Sequence, residues 1–227
     1  MKLTRWLVRA AHGSIVEIEG IRIRIPSVAS DPIREAIRAR SYEAAELALL
    51  KGALAREDVV MEVGTGLGLL SAYCAKHIGD DRVYTFEANP ALEEPIRANY
   101  ALNRVAPTLE IGLVGHQVGP SAFYVGENFW SSSVLNKARG AKPITAPAIS
   151  FNDKVKEIDP SFLLLDIEGG EYDLVRHADF RNVRKLVIEI HNWILTPAQV
   201  QYVQDTLVGQ GFRLFAGAGR EEQYFVR

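Results

Sequence analysis

The chain has 227 residues, which suits one domain with a small appendage and is ample for a sizeable core. Hydrophobic residues make up 48% and charged residues 24%, a soluble globular balance, and the formal net charge of -2 argues against a general polyanion binder. A single cysteine, Cys74, excludes an internal disulfide framework and a cysteine-cluster metal site, and it reads as a small core residue.

The opening "MKLTRWLVRAAHGS" is basic and mildly amphipathic, which fits a short packed helix. It lacks the uninterrupted apolar stretch of about 7–15 residues that a signal peptide needs. No run approaches the roughly 18 apolar residues of a membrane-spanning helix. A cytoplasmic chain without an integral membrane segment is therefore expected. "SIVEIEGIRIRIP" alternates around Glu19-Gly20 and predicts a β-hairpin. "SDPIREAIRARSYEAAELALLKG" predicts one helix, with Asp31 as cap, Pro32 in the first turn and Gly52 near its end. These segments form an expected extension over residues 1–57, ahead of the main domain at 58–227.

From Asp58 the pattern alternates. "DVVMEVG", "RVYTFEAN", "LEIGLVG", "SFLLLDIE" and "KLVIEIH" predict strands. "GLLSAYCAKHIG", "PALEEPIRANYALNRV", "EYDLVRHADF" and "TPAQVQYVQDTLVGQG" predict helices, the last with Thr196 as cap. "FYVGENFW" reads as a further strand or an extended insertion, and "FRLFAG" with "EQYFVR" as a final hairpin. Near-continuous apolar strands separated by helices predict a doubly wound, mostly parallel α/β sheet with helices on both faces. Ligands in such sheets bind beyond the carboxyl ends of the strands.

Gly64, Gly66 and Gly68 lie between the first of these strands and its helix, where the backbone can turn tightly and approach a ligand. Leu69 stands where a dinucleotide fingerprint has its third glycine, which weakens a nicotinamide reading. Glu87 ends the next strand and can accept both hydroxyl hydrogens of a ribose, so loop and acid together predict an adenosine ligand. Glu62 sits near a buried strand end and calls for a cationic partner, such as a ligand ammonium or sulfonium, or a local lysine or arginine.

With these residues in place, the chain resembles the FkbM-type family of class I S-adenosylmethionine-dependent methyltransferases. The resemblance runs through "VVMEVGTGLG", "VYTFEANP" with "IRANYALNRV", "FYVGENFWSSSVL", "FLLLDIEGGEYDLV" and "LVIEIHN". Asp166-Ile167-Glu168-Gly169-Gly170-Glu171 is its most specific part, and Asn99 and Asn103 fit the paired asparagines usual in the family. Glu62, Thr65 and Gly66 depart from the family's Asp, Ala and Asn in the first motif. The resemblance implies a seven-stranded sheet with the last strand antiparallel. It also implies O-methyl transfer to a hydroxyl of a small molecule, a sugar or glycan, or a polyketide-like metabolite. The expected cofactor-binding set is Glu62, Gly64, Thr65, Gly66, Gly68, Glu87, Asn89 and Ser132. Ser131 to Ser133, with Phe129 and Trp130, form a polar and aromatic stretch suited to a cofactor or a sugar.

Methyl transfer to oxygen needs in-line placement and removal of a proton. Asp166 and His191 end two strands that the fold brings together, and Glu168 shares a strand face with Asp166, as Glu189 does with His191. Asp166, Glu168 and His191 are therefore the catalytic candidates, with His191 or Asp166 as the base and the other carboxylates orienting it; an ordinary pKa near ~6.5 suits His191. A divalent cation held by Asp166, Glu168 and His191 or Asn192 is a possible alternative, but no metal ligand is expected. Trp193 either lines the acceptor pocket or packs. His12, His77, His116 and His177 read as surface or capping residues. Glu171 and Asp173 fall in the first turn of a helix, where negative charge meets the positive end of the helix dipole. The alternatives are a non-catalytic binding module, a nicotinamide-dependent oxidoreductase and a nucleic-acid amino methyltransferase. The last is disfavoured because an acidic acceptor mouth repels phosphate.

Overall fold

The computed structural model describes residues 14–116, 119–125 and 142–227. The expected hairpin forms from β1 (Ile15–Ile18) and β2 (Ile21–Arg24), closed by Glu19 and Gly20, both at positive φ. Two successive positive φ angles match the twist of the paired strands. The predicted single helix is two, α1 (Asp31–Ala39) and α2 (Ala44–Ala53). Ser30, not Asp31, holds the N-cap position of α1. The chain breaks where Arg40 and Glu43 adopt left-handed φ values of 59° and 49°. Tyr42, buried between them, accepts the Leu67 N–H on its hydroxyl at 3.1 Å, so a tertiary contact overrides helical propensity there.

The main domain follows the expected alternation. Its elements are β3 (Val60–Val63), α3 (Leu69–Ile78), β4 (Val83–Glu87), α4 (Glu93–Asn103) and β5 (Thr108–Ile111). After an insertion come β9 (Phe162–Leu165), α6 (Glu171–His177), β10 (Lys185–Glu189), α7 (Pro197–Gly209), β11 (Arg213–Ala216) and β12 (Glu222–Val226). The insertion holds β6 (Leu113–Gly115), β7 (Gly119–Val125), β8 (Lys142–Ser150) and α5 (Phe151–Ile158). Thr196 caps α7 through a capping box with Gln199, as its sequence suggested.

The seven-stranded sheet has the order β11-β12-β10-β9-β3-β4-β5, and only β12 runs antiparallel to its neighbours. β3 and β9 are fully buried, and their alternate residues enter different cores. Val60, Phe162 and Leu164 join one core with the hairpin, α1 to α4 and Val187, while Met61, Leu163 and Leu165 join the other with α5 to α7. Both faces are thus covered, which explains the unbroken apolar strands. The paired asparagines fasten the hairpin to this body. Asn99 accepts the Arg24 N–H at 2.9 Å and donates to the Leu67 carbonyl at 3.0 Å. Asn103 accepts from the Arg22 N–H at 2.8 Å and donates to the Arg22 carbonyl at 2.7 Å.

Two parts of the insertion differ from expectation. "LEIGLVG" splits at Gly112, whose N–H donates to the Glu87 carbonyl at 2.8 Å, and β6 leaves the main sheet for a small one ordered β6-β8-β7. β8 and α5 had no expected counterpart. Pro143 and Pro147 argue against a central strand, yet β8 is the middle strand of that small sheet. Ser150 caps α5 by accepting the Asp153 N–H at 3.2 Å. Phe129, Trp130 and Ser131 to Ser133, including the expected cofactor contact Ser132, lie outside the described residues, as do His12 and the basic start.

Candidate active site

The strand order reverses between β3 and β9, so their carboxyl ends mark the crevice of the sheet. Register places the key residues on one edge: Val63 pairs with Phe86 and with Leu165, and Leu165 with Ile188. The next residues out are Gly64, Glu87, Asp166 and Glu189. They border a cavity of about 430 Å³ that also reaches Tyr42, Glu43, Glu46, Glu168, His191 and Trp193. That volume is within the usual range for a small-molecule site, roughly 300–1,000 Å³.

Gly64 has φ +91°, and a Cβ there would lie 1.7 Å from the Asp166 carbonyl oxygen. No side chain is tolerated where β3 and β9 part. Gly66 has φ +56°, and its Cβ would meet the Tyr42 hydroxyl at 2.5 Å and the Glu43 carboxylate at 2.8 Å. Its N–H donates to Glu87 Oε2 at 3.1 Å, while the Asn89 N–H donates to Oε1 at 2.8 Å. Burial pushes the Glu87 carboxyl up to about 7, partly opposed by these two N–H groups. Glu87 is therefore held in one orientation by backbone and keeps lone pairs for a ligand.

Gly64, Gly66, Glu87, Asp166, Glu168 and His191 line the cavity as expected. Thr65, Gly68, Asn89 and Glu62 stand behind its wall. Thr65 donates its hydroxyl to the Phe86 carbonyl at 3.1 Å, Asn89 caps the next turn by accepting the Ala91 N–H at 3.1 Å, and Gly68 sits against Tyr100 at the start of α3. These residues shape the loop. Glu62 is 2% exposed, has one oxygen without a hydrogen-bond partner and forms no ion pair among the described residues. Burial pushes its carboxyl up to about 8, against weaker hydrogen bonds from Ser71 and Thr65.

At the other side of the crevice His191 is enclosed by acids. Its Nδ1 lies 2.5 Å from Glu171 Oε1, and its Nε2 lies 3.3 Å from Glu168 Oε2 and 3.7 Å from both Asp166 Oδ1 and Glu189 Oε1. Glu189 in turn hydrogen-bonds Glu46 from α2. Burial raises the Asp166, Glu168 and Glu189 carboxyls, and neighbouring acids add to this. For His191 burial acts downward, but the Glu171 hydrogen bond and the charges of Glu168, Glu171 and Asp166 outweigh it and push the ring up to about 10. At neutral pH these surroundings favour a protonated ring. The reading of His191 as a base rested on the ordinary value near ~6.5, which these surroundings shift upward.

Glu171 is a correction. It is completely buried, accepts the Gly169 N–H at 3.0 Å and holds His191, so it belongs to the site as well as to the helix start. Asp173, two residues on, faces outward and pairs with His116 at 2.7 Å. Asp166 and Glu168 do converge on His191, but through a turn with left-handed Glu168 (φ 44°) and Gly169, since β9 ends at Leu165. Tyr42, Glu43 and Glu46 were missed because their segment reads as continuous helix. Trp193 lines the cavity and is 66% exposed, with its ring edge-on to His191.

A sheet with one antiparallel strand, a glycine turn after β3 and an acid ending β4 define a class I methyltransferase domain. Residues 58–214 match the methyltransferase FkbM domain, and the chain belongs to the FkbM family of S-adenosylmethionine-dependent methyltransferases. The nicotinamide alternative falls with that match. A Methanocaldococcus jannaschii protein with a provisional name as a protein N5-glutamine methyltransferase is 24% identical over 200 residues, 86% of this chain and 82% of that one. Among solved structures, the Geobacter metallireducens precorrin-6y C5,15-methyltransferase has a TM-score of 0.47 at 12% identity, covering 87% of this chain and 90% of that one. Methanocaldococcus jannaschii TYW2, solved with AdoMet, has a TM-score of 0.45 at 14% identity, covering 94% and 83%. No helix among the described residues is long and apolar enough to cross a membrane.

Proposed function

We propose that the chain transfers the methyl group of S-adenosylmethionine to a hydroxyl oxygen of a small-molecule or glycan acceptor. The observation that carries this reading is the partly buried set of carboxylates around His191, directly beside Gly64 at the carboxyl edge of the sheet. S-adenosylmethionine supplies a methyl group on a positively charged sulfur. Glu87, oriented by Gly66 and Asn89, would accept hydrogen bonds from the ribose hydroxyls, and the turn at Gly64 and Gly66, which lines the cavity, would lie against the donor. Glu168 is placed to take the acceptor proton: its Oε2 has no hydrogen-bond partner among the described residues, and burial raises its pKa to about 8, so the ionised carboxylate takes up a proton readily. A transfer there would form the O–C bond and break the S–C bond, leaving its electron pair on sulfur. The hydroxyl proton passes to the Glu168 carboxylate. Glu171 holds His191 so that the imidazole offsets the surrounding charge.

Among the described residues, the cavity carries Glu43, Glu46, Glu87, Asp166, Glu168 and Glu189 but no lysine or arginine. A phosphate or carboxylate next to the reacting oxygen would be repelled, so the acceptor is uncharged or cationic there. A second reading, methylation of a protein glutamine amide, is favoured by the name of the archaeal relative. One experiment separates them: incubate with methyl-labelled S-adenosylmethionine and, in parallel, sugars, hydroxylated metabolites and a glutamine-containing protein extract. Label recovered as a methyl ether supports the hydroxyl reading. Label confined to protein amide nitrogen overturns it, and no transfer to any acceptor class favours a binding module.

A further inference from the structure

We infer that Asp166, Glu189 and His191 form a site for one divalent transition-metal ion. No metal ligand was expected from the sequence; the tertiary arrangement argues for one. The three side chains each offer a ligand atom, and these atoms all lie within 4.8 Å of one another. His191 Nε2 is 3.7 Å from Asp166 Oδ1 and 3.7 Å from Glu189 Oε1. An ion with bonds of about 2.0–2.2 Å bridges ligand pairs roughly 3 to 4.4 Å apart, so both separations fit.

Two further observations point the same way. His191, with its side chain 3% exposed, gives Nδ1 to the buried Glu171 carboxylate. That is how a carboxylate fixes the tautomer of a metal-binding histidine and turns the Nε2 lone pair inward. Asp166 Oδ1 is a buried atom with no hydrogen-bond partner, and it faces that same Nε2. Asp166, Glu168, Glu171, Glu189 and Glu46 gather around one imidazole, with no lysine or arginine among the described residues that line the cavity. A divalent ion would offset this negative charge. The imidazole ligand favours a transition ion such as Mn²⁺ or Zn²⁺ over Mg²⁺ or Ca²⁺. A second cluster, His116, Asp173 and His177, is exposed and serves as an internal control.

The test uses the full chain, freed of metal with a chelator and desalted. It is titrated with Mn²⁺, with free ion followed by electron paramagnetic resonance and heat by calorimetry, then challenged with Zn²⁺. The expected result is one Mn²⁺ per chain, displaced by Zn²⁺. Affinity should fall at least about tenfold in Asp166→Asn and Glu189→Gln, and about 10–100-fold in Glu171→Gln. It should persist in the His116→Ala/His177→Ala double variant. Circular dichroism selects the folded variants for comparison. The inference is overturned if folded wild-type protein binds neither ion, if binding survives both Asp166→Asn and Glu189→Gln, or if the surface double variant abolishes it. The titration contains no methyl donor or acceptor, so its failure and that of the proposed reaction are distinguishable.

Discussion

At the β3–β4 end of the crevice, the carboxylate of Glu87 accepts two backbone N–H groups. At the β9–β10 end, Asp166, Glu168 and Glu171 each keep an oxygen without a hydrogen-bond partner among the described residues. Glycines and one acid build the first end, mostly through contacts between β3 and β4. The second draws on β9, α6, β10 and α2 and leaves an excess of negative charge. On the proposed reaction, the difference separates two tasks. A donor common to many reactions can be held by a satisfied backbone frame. An acceptor proton needs groups whose cost of burial is still unpaired.

Substitutions can break or sharpen this contrast. Gly64→Ala strikes both ends, because the new Cβ collides with the Asp166 backbone. It should abolish S-adenosylmethionine binding by calorimetry and destabilise the fold by more than about 3 kcal/mol in denaturant titration. Glu168→Gln should touch only the acceptor end, lowering kcat by about 10²–10⁴-fold while donor affinity changes little. A kcat within twofold of wild type would remove Glu168 as the proton acceptor.

Glu87→Gln should touch only the donor end, weakening S-adenosylmethionine by about 10–100-fold, the loss of a charged hydrogen-bond acceptor. The same residue predicts a pH dependence. With its carboxyl near 7, the accepting form is lost as pH falls below that value. Donor affinity measured by calorimetry should therefore decline from pH 8 to pH 6, and the decline should flatten in Glu87→Gln. The smallest effect is expected from Asp173→Asn. That residue lies two positions from Glu171 but pairs at the surface with His116, so stability should move by less than about 0.5 kcal/mol and turnover should hold.

The run "LLLDIEGGEYDL" shows where sequence reasoning reached and where it stopped. Its apolar half marks a strand buried on both faces, and Asp166 follows as a strand-end acid because ligands gather at that edge of such sheets. Glu171 and Asp173 look alike there, two acids in the first turn of a helix. Only the path of β10, which brings His191 behind α6, separates a buried ligand of the imidazole from a surface partner of His116. The same limit applies to "RARSYEAAE". Helical propensity runs through it, and nothing local announces that Tyr42 and Glu43 will cover the glycine turn.

By itself, then, the sequence determined the order of strands and helices, the glycine turn and the acid at the end of β4. Each depends on local periodicity or on backbone freedom at a single position. The tertiary structure alone decided which of many acids face one histidine, how far its pKa moves, and that α2 contributes Glu46 to the far wall. Those properties depend on burial and on distances between elements remote in the chain, for which a string of residue types carries no measure.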